Sequence, residues 1–198
     1  MRVLILVAAF FSAGVAAAAP TMPGELPIVF GQPLGKPIIY PECNNSISDY
    51  THEKIYALDD KQVCFKKVAD LDVNGTSIDF PAAKVPEMLS VESVFLHLID
   101  GNVEGMYAGT LGHSSATGIV SQLSQKFGKP TAIGPRQAII GGISLIETYA
   151  VWQGQGYRVE YESISGDLEH GELNIRSTRA VEEDDRKDRN RAEQRTQL

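Results

Sequence analysis

The chain has 198 residues, 43% of them hydrophobic and 22% charged, and a formal charge of −7. This composition is globular, and the length suits one domain with its own apolar core. The acidic balance argues against nucleic acid and against anionic lipid as partners, and leaves solubility and a basic partner as its natural consequences.

The first nineteen residues read as a signal peptide. Arg2 precedes the apolar run Val3 to Phe11, and Ala16 to Ala19 stand before Pro20, the charged, apolar and small-residue pattern that an export pathway recognises. Cleavage is expected after Ala18 or Ala19, and loss of Arg2 takes the charge from −7 to −8. The apolar stretch is short for a bilayer span, and no cysteine follows it to carry a lipid. A periplasmic or secreted protein without a stable membrane anchor is the expectation.

Residues 20–41 are rich in proline and glycine (Pro20, Pro23, Gly24, Pro27, Gly31, Pro33, Gly35, Pro37, Pro41). Proline fixes φ and removes a ladder donor, so neither a long helix nor a central strand can run here. An extended arm is expected, held along the domain by Ile28, Val29, Phe30, Leu34, Ile38 and Ile39. A single domain spans 42–178, and residues 179–198 form a charged tail.

Cys43 and Cys64 are the only two cysteines. A structural zinc site needs four nitrogen or sulfur ligands at short spacing, and only His52 lies nearby; no CxxC redox motif occurs. In an oxidising compartment the pair reads as a disulfide.

Asp70, Asp72 and Asn74, followed by Gly75, place oxygen ligands at alternate positions as a calcium loop does. Pro81 stands where the bidentate glutamate belongs, so these three are only a weak metal candidate. The simpler expectation is an Asn74-Gly75 turn between strands at Val63 to Val68 and Thr76 to Phe80.

Glu92 to Ile99 alternates Val94, Leu96 and Leu98 against Phe95, His97 and Ile99, a strand covered at least partly on both faces. Asp100, Gly101 and Asn102 supply a tight turn, and Val103 to Thr110 returns antiparallel. Ile119, Val120, Leu123 and Phe127 recur at helical spacing, with Ser115 or Thr117 as N-cap and Gly128 and Pro130 as the stop. Strands at Leu145 to Trp152 and Tyr157 to Ile164 are expected around a four-residue loop, Gln153 to Gly156. Glu172 to Ser177 repeats the alternation. The fold class is α+β: an antiparallel sheet packed against one main helix. The tail from Arg179 pairs charges at helical spacing but offers no apolar stripe, so a solvated, fraying helix or disorder is expected.

Sites for chemistry are few. His52, His97, His113 and His170 are scattered, with no two on one helical face. No GxSxG or HExxH occurs, and the GxG at Gly154 lacks a third glycine. No catalytic residue and no cofactor is assigned. Glu104, Glu147, Glu160 and Glu162 read as the wet face of the sheet. Among the aromatics Tyr107, Tyr149, Trp152, Tyr157 and Tyr161, core packing is the first reading, and Trp152, Tyr157 and Tyr161 are the candidates for a partner-binding patch.

The stretch "QLSQKFGKP", the strand with Trp152 and the hairpin into "YRVEYES" resemble a layout of small exported bacterial proteins, many of them uncharacterised. "PEC" with the later Cys64, and the "IDGNVEG" hairpin, resemble that group in particular. The helix, Gly-x-Pro and tryptophan strand also resemble the SmpA/OmlA type of outer-membrane lipoprotein. The likeness covers Glu42 to Ser177 and implies the fold; the chain departs from the lipoproteins in lacking the lipidated cysteine and in its long arm and tail. The function expected is a non-enzymatic periplasmic binding or inhibitory module with a periplasmic or envelope protein as partner. A cell-envelope accessory role, or a hydrolase with a convergent His and carboxylate site, is the alternative.

Overall fold

The computed structural model describes residues 25–43, 45–47, 54–56, 62–68 and 75–196. Asp70, Asp72, Asn74, His52 and the leader segment lie outside the described residues.

Residues 25–41 of the arm lie along the domain through Val29, Phe30, Leu34 and Ile38, while Ile28 and Ile39, expected to help hold it, are exposed. Its short strands β1 (Ile28–Val29) and β2 (Gln32–Pro33) pair about Phe30 and Gly31, both at positive φ. A Cβ on Gly31 would collide with the Tyr40 hydroxyl, which donates to Phe30 O at 2.6 Å. Val29 and Leu34 enter the core. The buried Gln32 side chain donates to the carbonyls of Pro33 and Pro37 and accepts from Ile39 N, each at 3.0 Å, giving a proline-rich segment the hydrogen bonds its own backbone cannot close. Two further short strands, β3 (Asn45–Ile47) and β4 (Lys54–Tyr56), pair with each other.

The body is one eight-stranded antiparallel sheet built from two meanders. The first is β5 (Cys64–Val68), β6 (Gly75–Asp79), β7 (Leu89–Ile99) and β8 (Asn102–Leu111). The second is β9 (Ala132–Ile140), β10 (Ile143–Gly154), β11 (Tyr157–Glu162) and β12 (His170–Ser177). Helix α1 (Ala116–Phe127) crosses from β8 to the far edge, and the second meander runs back until β12 pairs with β8, giving the order β5-β6-β7-β8-β12-β11-β10-β9. The Cys43–Cys64 disulfide closes with 5.0 Å between Cα atoms. It fastens the end of the arm to the edge strand β5, where Cys43 N donates to Phe65 O and Phe65 N to Pro41 O.

The register stacks the core in two rows. Leu96, Met106, Ile175, Val159 and Trp152 face one another across five strands, and Val94, Ala108, Leu173, Tyr161 and Ala150 form the adjacent row. Helix α1 covers these rows with Ala116, Ile119 and Leu123. Gly128, at φ +81, ends the helix as expected, and its carbonyl accepts from Trp152 Nε1 at 2.9 Å. Ser115 stands at the N-cap position but its side chain makes no capping bond.

Several expectations are corrected. Strand β9 is an addition to the expected elements; Gly134 and Pro135 lie within it, and as an edge strand it tolerates a proline whose missing N–H faces outward. The loop at 153–156 is a two-residue turn, since Gly154 pairs with Tyr157 and Gly156 takes φ +82. Asp100 and Gly101 alone form the turn after β7, with Asn102 already paired to Ile99. The tail takes the helical one of its two expected forms, as helix α2 (Thr178–Thr196), but its first turn is docked and not solvated: Ala180 is buried, its N–H donates to Ser177 Oγ at 3.1 Å, and Arg179 pairs with Asp100 and Glu104. The contact combines one small buried residue with ion pairs and does without an apolar stripe.

Candidate functional site: the open face of the sheet

Alternation sends every second side chain of the sheet to the face opposite α1. The register there sets Phe95, Tyr107, Asn174 and Glu160 in one row, with His97, Gly105, Arg176 and Arg158 on one side and Gly109, Glu172, Glu162 and Tyr149 on the other. The far side of this face is tied by ions. Arg136 reaches Glu147 at 2.8 Å and Glu162 at 2.7 Å, while Glu160 takes Arg158 at 2.7 Å, Arg176 at 2.5 Å and the Tyr149 hydroxyl at 3.0 Å. Burial pushes the Glu160 carboxyl up, but the hydrogen bonds from Arg158, Arg176 and Tyr149 outweigh it and hold it below the usual carboxylate range.

The centre of the face is different. Phe95 and Tyr107 stand directly opposite each other with ring centroids 6.3 Å apart, 41% and 40% exposed. Beside them the Glu172 carboxylate accepts from Asn174 Nδ2 at 2.6 Å, Ser165 Oγ at 3.2 Å and Tyr107 Oη at 3.3 Å. Burial, and then the Glu172 charge, raise the Tyr107 hydroxyl above its ordinary pKa, so it stays a donor. Among the described residues no cation pairs with Glu172, unlike the other carboxylates of this face at Asp79, Glu147, Glu160 and Glu162. Gly105 floors a hollow of 230 Å³ walled by Phe95, His97, Tyr107, Asn174, Arg176 and, from α2, Asp184. A Cβ at Gly105 would come within 3.1 Å of His97 Cβ. The glycine thus keeps the hollow open, and Arg176 lies 3.5 Å from Asp184 at its rim.

The sequence-predicted residues fall differently. Trp152 and Tyr161 are buried in the core rows and Tyr157 is half-buried against Phe127, so this trio forms no exposed patch; all three project to the helix-covered side or its margin. Glu104 and Glu147, expected on the wet face, are buried. The histidines stay apart: His97 lines the hollow, His113 Nδ1 lies 3.4 Å from Ser163 Oγ, and His170 Nδ1 lies 2.9 Å from Asp167. Ser163 is fully buried and its hydroxyl accepts from Thr148 N. Among the described residues no three His, Cys, Asp or Glu side chains group to hold a metal ion, and no helix there is long and apolar enough to cross a membrane. Phe95 and Glu172 were legible only as strand residues; their meeting depends on β7, β8 and β12 becoming neighbours.

Comparison with protein families, curated proteins and solved structures returned no match to this chain.

Proposed function

We propose that the protein is a non-enzymatic binding or inhibitory module that works outside the cytoplasm and takes a protein partner on the open face of its sheet. The observation that carries this is the pairing of an exposed aromatic couple, Phe95 and Tyr107, with a carboxylate, Glu172, that the rest of the face leaves without a cation. Aromatic side chains that expose a large area, framed by residues already locked in ion pairs, are the composition of an interface centre. A lysine or arginine of the partner would lie over the rings and reach Glu172, joining a cation–π contact to a charge-assisted hydrogen bond. The acidic chain steers such a partner by its net charge, −7 for the full chain and −8 once Arg2 is lost with the leader. The Cys43–Cys64 disulfide fits an oxidising compartment, in keeping with the leader-like first nineteen residues.

The test is affinity capture from the periplasm at low salt with the native protein and with Glu172→Gln and Phe95→Ala. One stoichiometric partner held by the native protein and released from both variants is expected, with Glu172→Gln weakening it about tenfold. Recovery of no partner, or of one that both variants hold equally well, would refute the proposal.

A further inference from the structure

The hairpin of β9 and β10 runs past the end of its neighbour. β11 pairs with β10 only from Tyr149 to Gly154. Thr148 is then closed off by Ser163, which donates its N–H to Thr148 O at 3.0 Å and accepts the Thr148 N–H on Oγ at 2.8 Å. Beyond this point Gln137 to Ile140 and Ile143 to Glu147 form a two-stranded ribbon turned by Gly141 and Gly142, both at positive φ. One face of the ribbon is apolar; the other mixes isoleucines with Gln137 and Ser144, whose side chains hydrogen-bond to each other at 2.7 Å. Ile139 (72% exposed) and Ile146 (63%) project to one side, and Ile140, Ile143 (65%) and Leu145 to the other. A groove of 540 Å³ separates the second set from the loop at Asp167 to Glu169, where Leu168 is also exposed.

We infer that this ribbon is a self-association site, at which a second copy of the chain adds its own β10 edge antiparallel about a two-fold axis through Leu145. The backbone makes the edge self-complementary. A two-residue turn leaves Ile140 and Ile143 as a bonded pair, so Ile143, Leu145 and Glu147 point their amides at β9, while Ser144, Ile146 and Thr148 point outward. Thr148 is satisfied by Ser163; among the described residues, Ser144 and Ile146 are the open positions. With the axis at Leu145, Ser144 of one copy faces Ile146 of the other, and each pair exchanges two hydrogen bonds. The other edge is blunted, because Pro135 stands among its outward positions and offers no N–H.

Charge does not oppose this occupant at the ribbon. Two copies each carrying −7 repel over most of their surfaces, yet from Gln137 to Ile146 the ribbon has no charged residue. Arg136 and Glu147, which flank that run, neutralise each other at 2.8 Å. A bilayer would accept the isoleucines but leave the outward amides of Ser144 and Ile146 without partners; a strand satisfies both. The interface concerns the ribbon alone, at residues separate from Phe95, Tyr107 and Glu172, so it stands or falls independently of the open face.

Sedimentation of the native protein from about 1 to 500 μM is expected to show a reversible, concentration-dependent dimer, weak and transient as small interfaces are. Ile146→Lys should weaken it at least tenfold with an unchanged thermal melt, while Ile133→Lys, equally exposed but paired across from Ala150 outside the ribbon, should leave it intact. Leu145→Cys should form an intermolecular disulfide in oxidising buffer, and Ile139→Cys should not. A monomer throughout the range, a dimer indifferent to Ile146→Lys, or a monomer that binds zwitterionic lipid vesicles through the ribbon would overturn the inference.

Discussion

Replacing Trp152 by Phe tests whether the two core rows and the helix stop are joined as described. The indole is buried at the end of the row running from Leu96 through Met106, Ile175 and Val159, and its Nε1–H reaches Gly128 O at 2.9 Å. Phenylalanine keeps an aromatic ring but removes the donor and leaves a void beside α1. The lost bond costs about 0.5–1 kcal/mol, the low end for a neutral pair, since the exposed Gly128 carbonyl can turn to water. The void and the lost transfer energy add about 1–2 kcal/mol. The sum is about 1.5–3 kcal/mol. With a urea m-value of about 2 kcal/mol/M for a domain of this size, the unfolding midpoint should fall by about 0.75–1.5 M. The measurement is urea denaturation followed by far-UV circular dichroism, because the variant lacks the single tryptophan whose fluorescence would otherwise report unfolding. Phe95→Ala on the open face, run in parallel, should cost about 1 kcal/mol or less, because its ring is only part-buried. A Trp152→Phe midpoint within about 0.3 M of the native value at unchanged m would refute the packing argument.

Two other outcomes follow from the same structure. Replacing Cys43 and Cys64 together by serine should lower stability by about 3 kcal/mol, since the crosslink closes a loop of 21 residues. In a thermal melt this is a drop of about 6–12 °C, matched by reductant on the native protein and absent when reductant is added to the variant. The Glu160 network makes stability acid-sensitive. Because the folded carboxyl titrates below its ordinary value of 4.5, its contribution is present in full above that pH and is lost as pH falls below it through the folded pKa. Urea midpoints collected from neutral pH down to pH 3 should therefore fall more steeply below 4.5 in the native protein than in Glu160→Gln, and parallel curves would count against the network.

Much of the architecture was legible in the sequence because it rests on local chemistry. Alternation over Glu92 to Ile99, the Asp-Gly turn, the spacing of Ile119 and Leu123, and Gly128 as a helix stop each act within a few residues, and each appears where expected. The two cysteines, alone in the chain, pair as their number suggested. Strand β9 was not among the expected elements; Gly134 and Pro135 argue locally against a strand, and only its place at the sheet edge makes them tolerable.

The candidate site was the least legible part, for a physical reason. Sequence alternation says that two sets of side chains point to opposite faces, and it determined that Phe95 and Val94 must part company. It cannot say which face a helix will cover, and that choice decided that Trp152 and Tyr161 are core while Phe95 and Tyr107 meet solvent. Nor could it place β12 beside β8, a pairing between residues some 65 positions apart that brings Glu172 to Tyr107. Composition, charge, turns and the helix were written in the chain itself; the company each side chain keeps was settled only when the second meander folded back against the first.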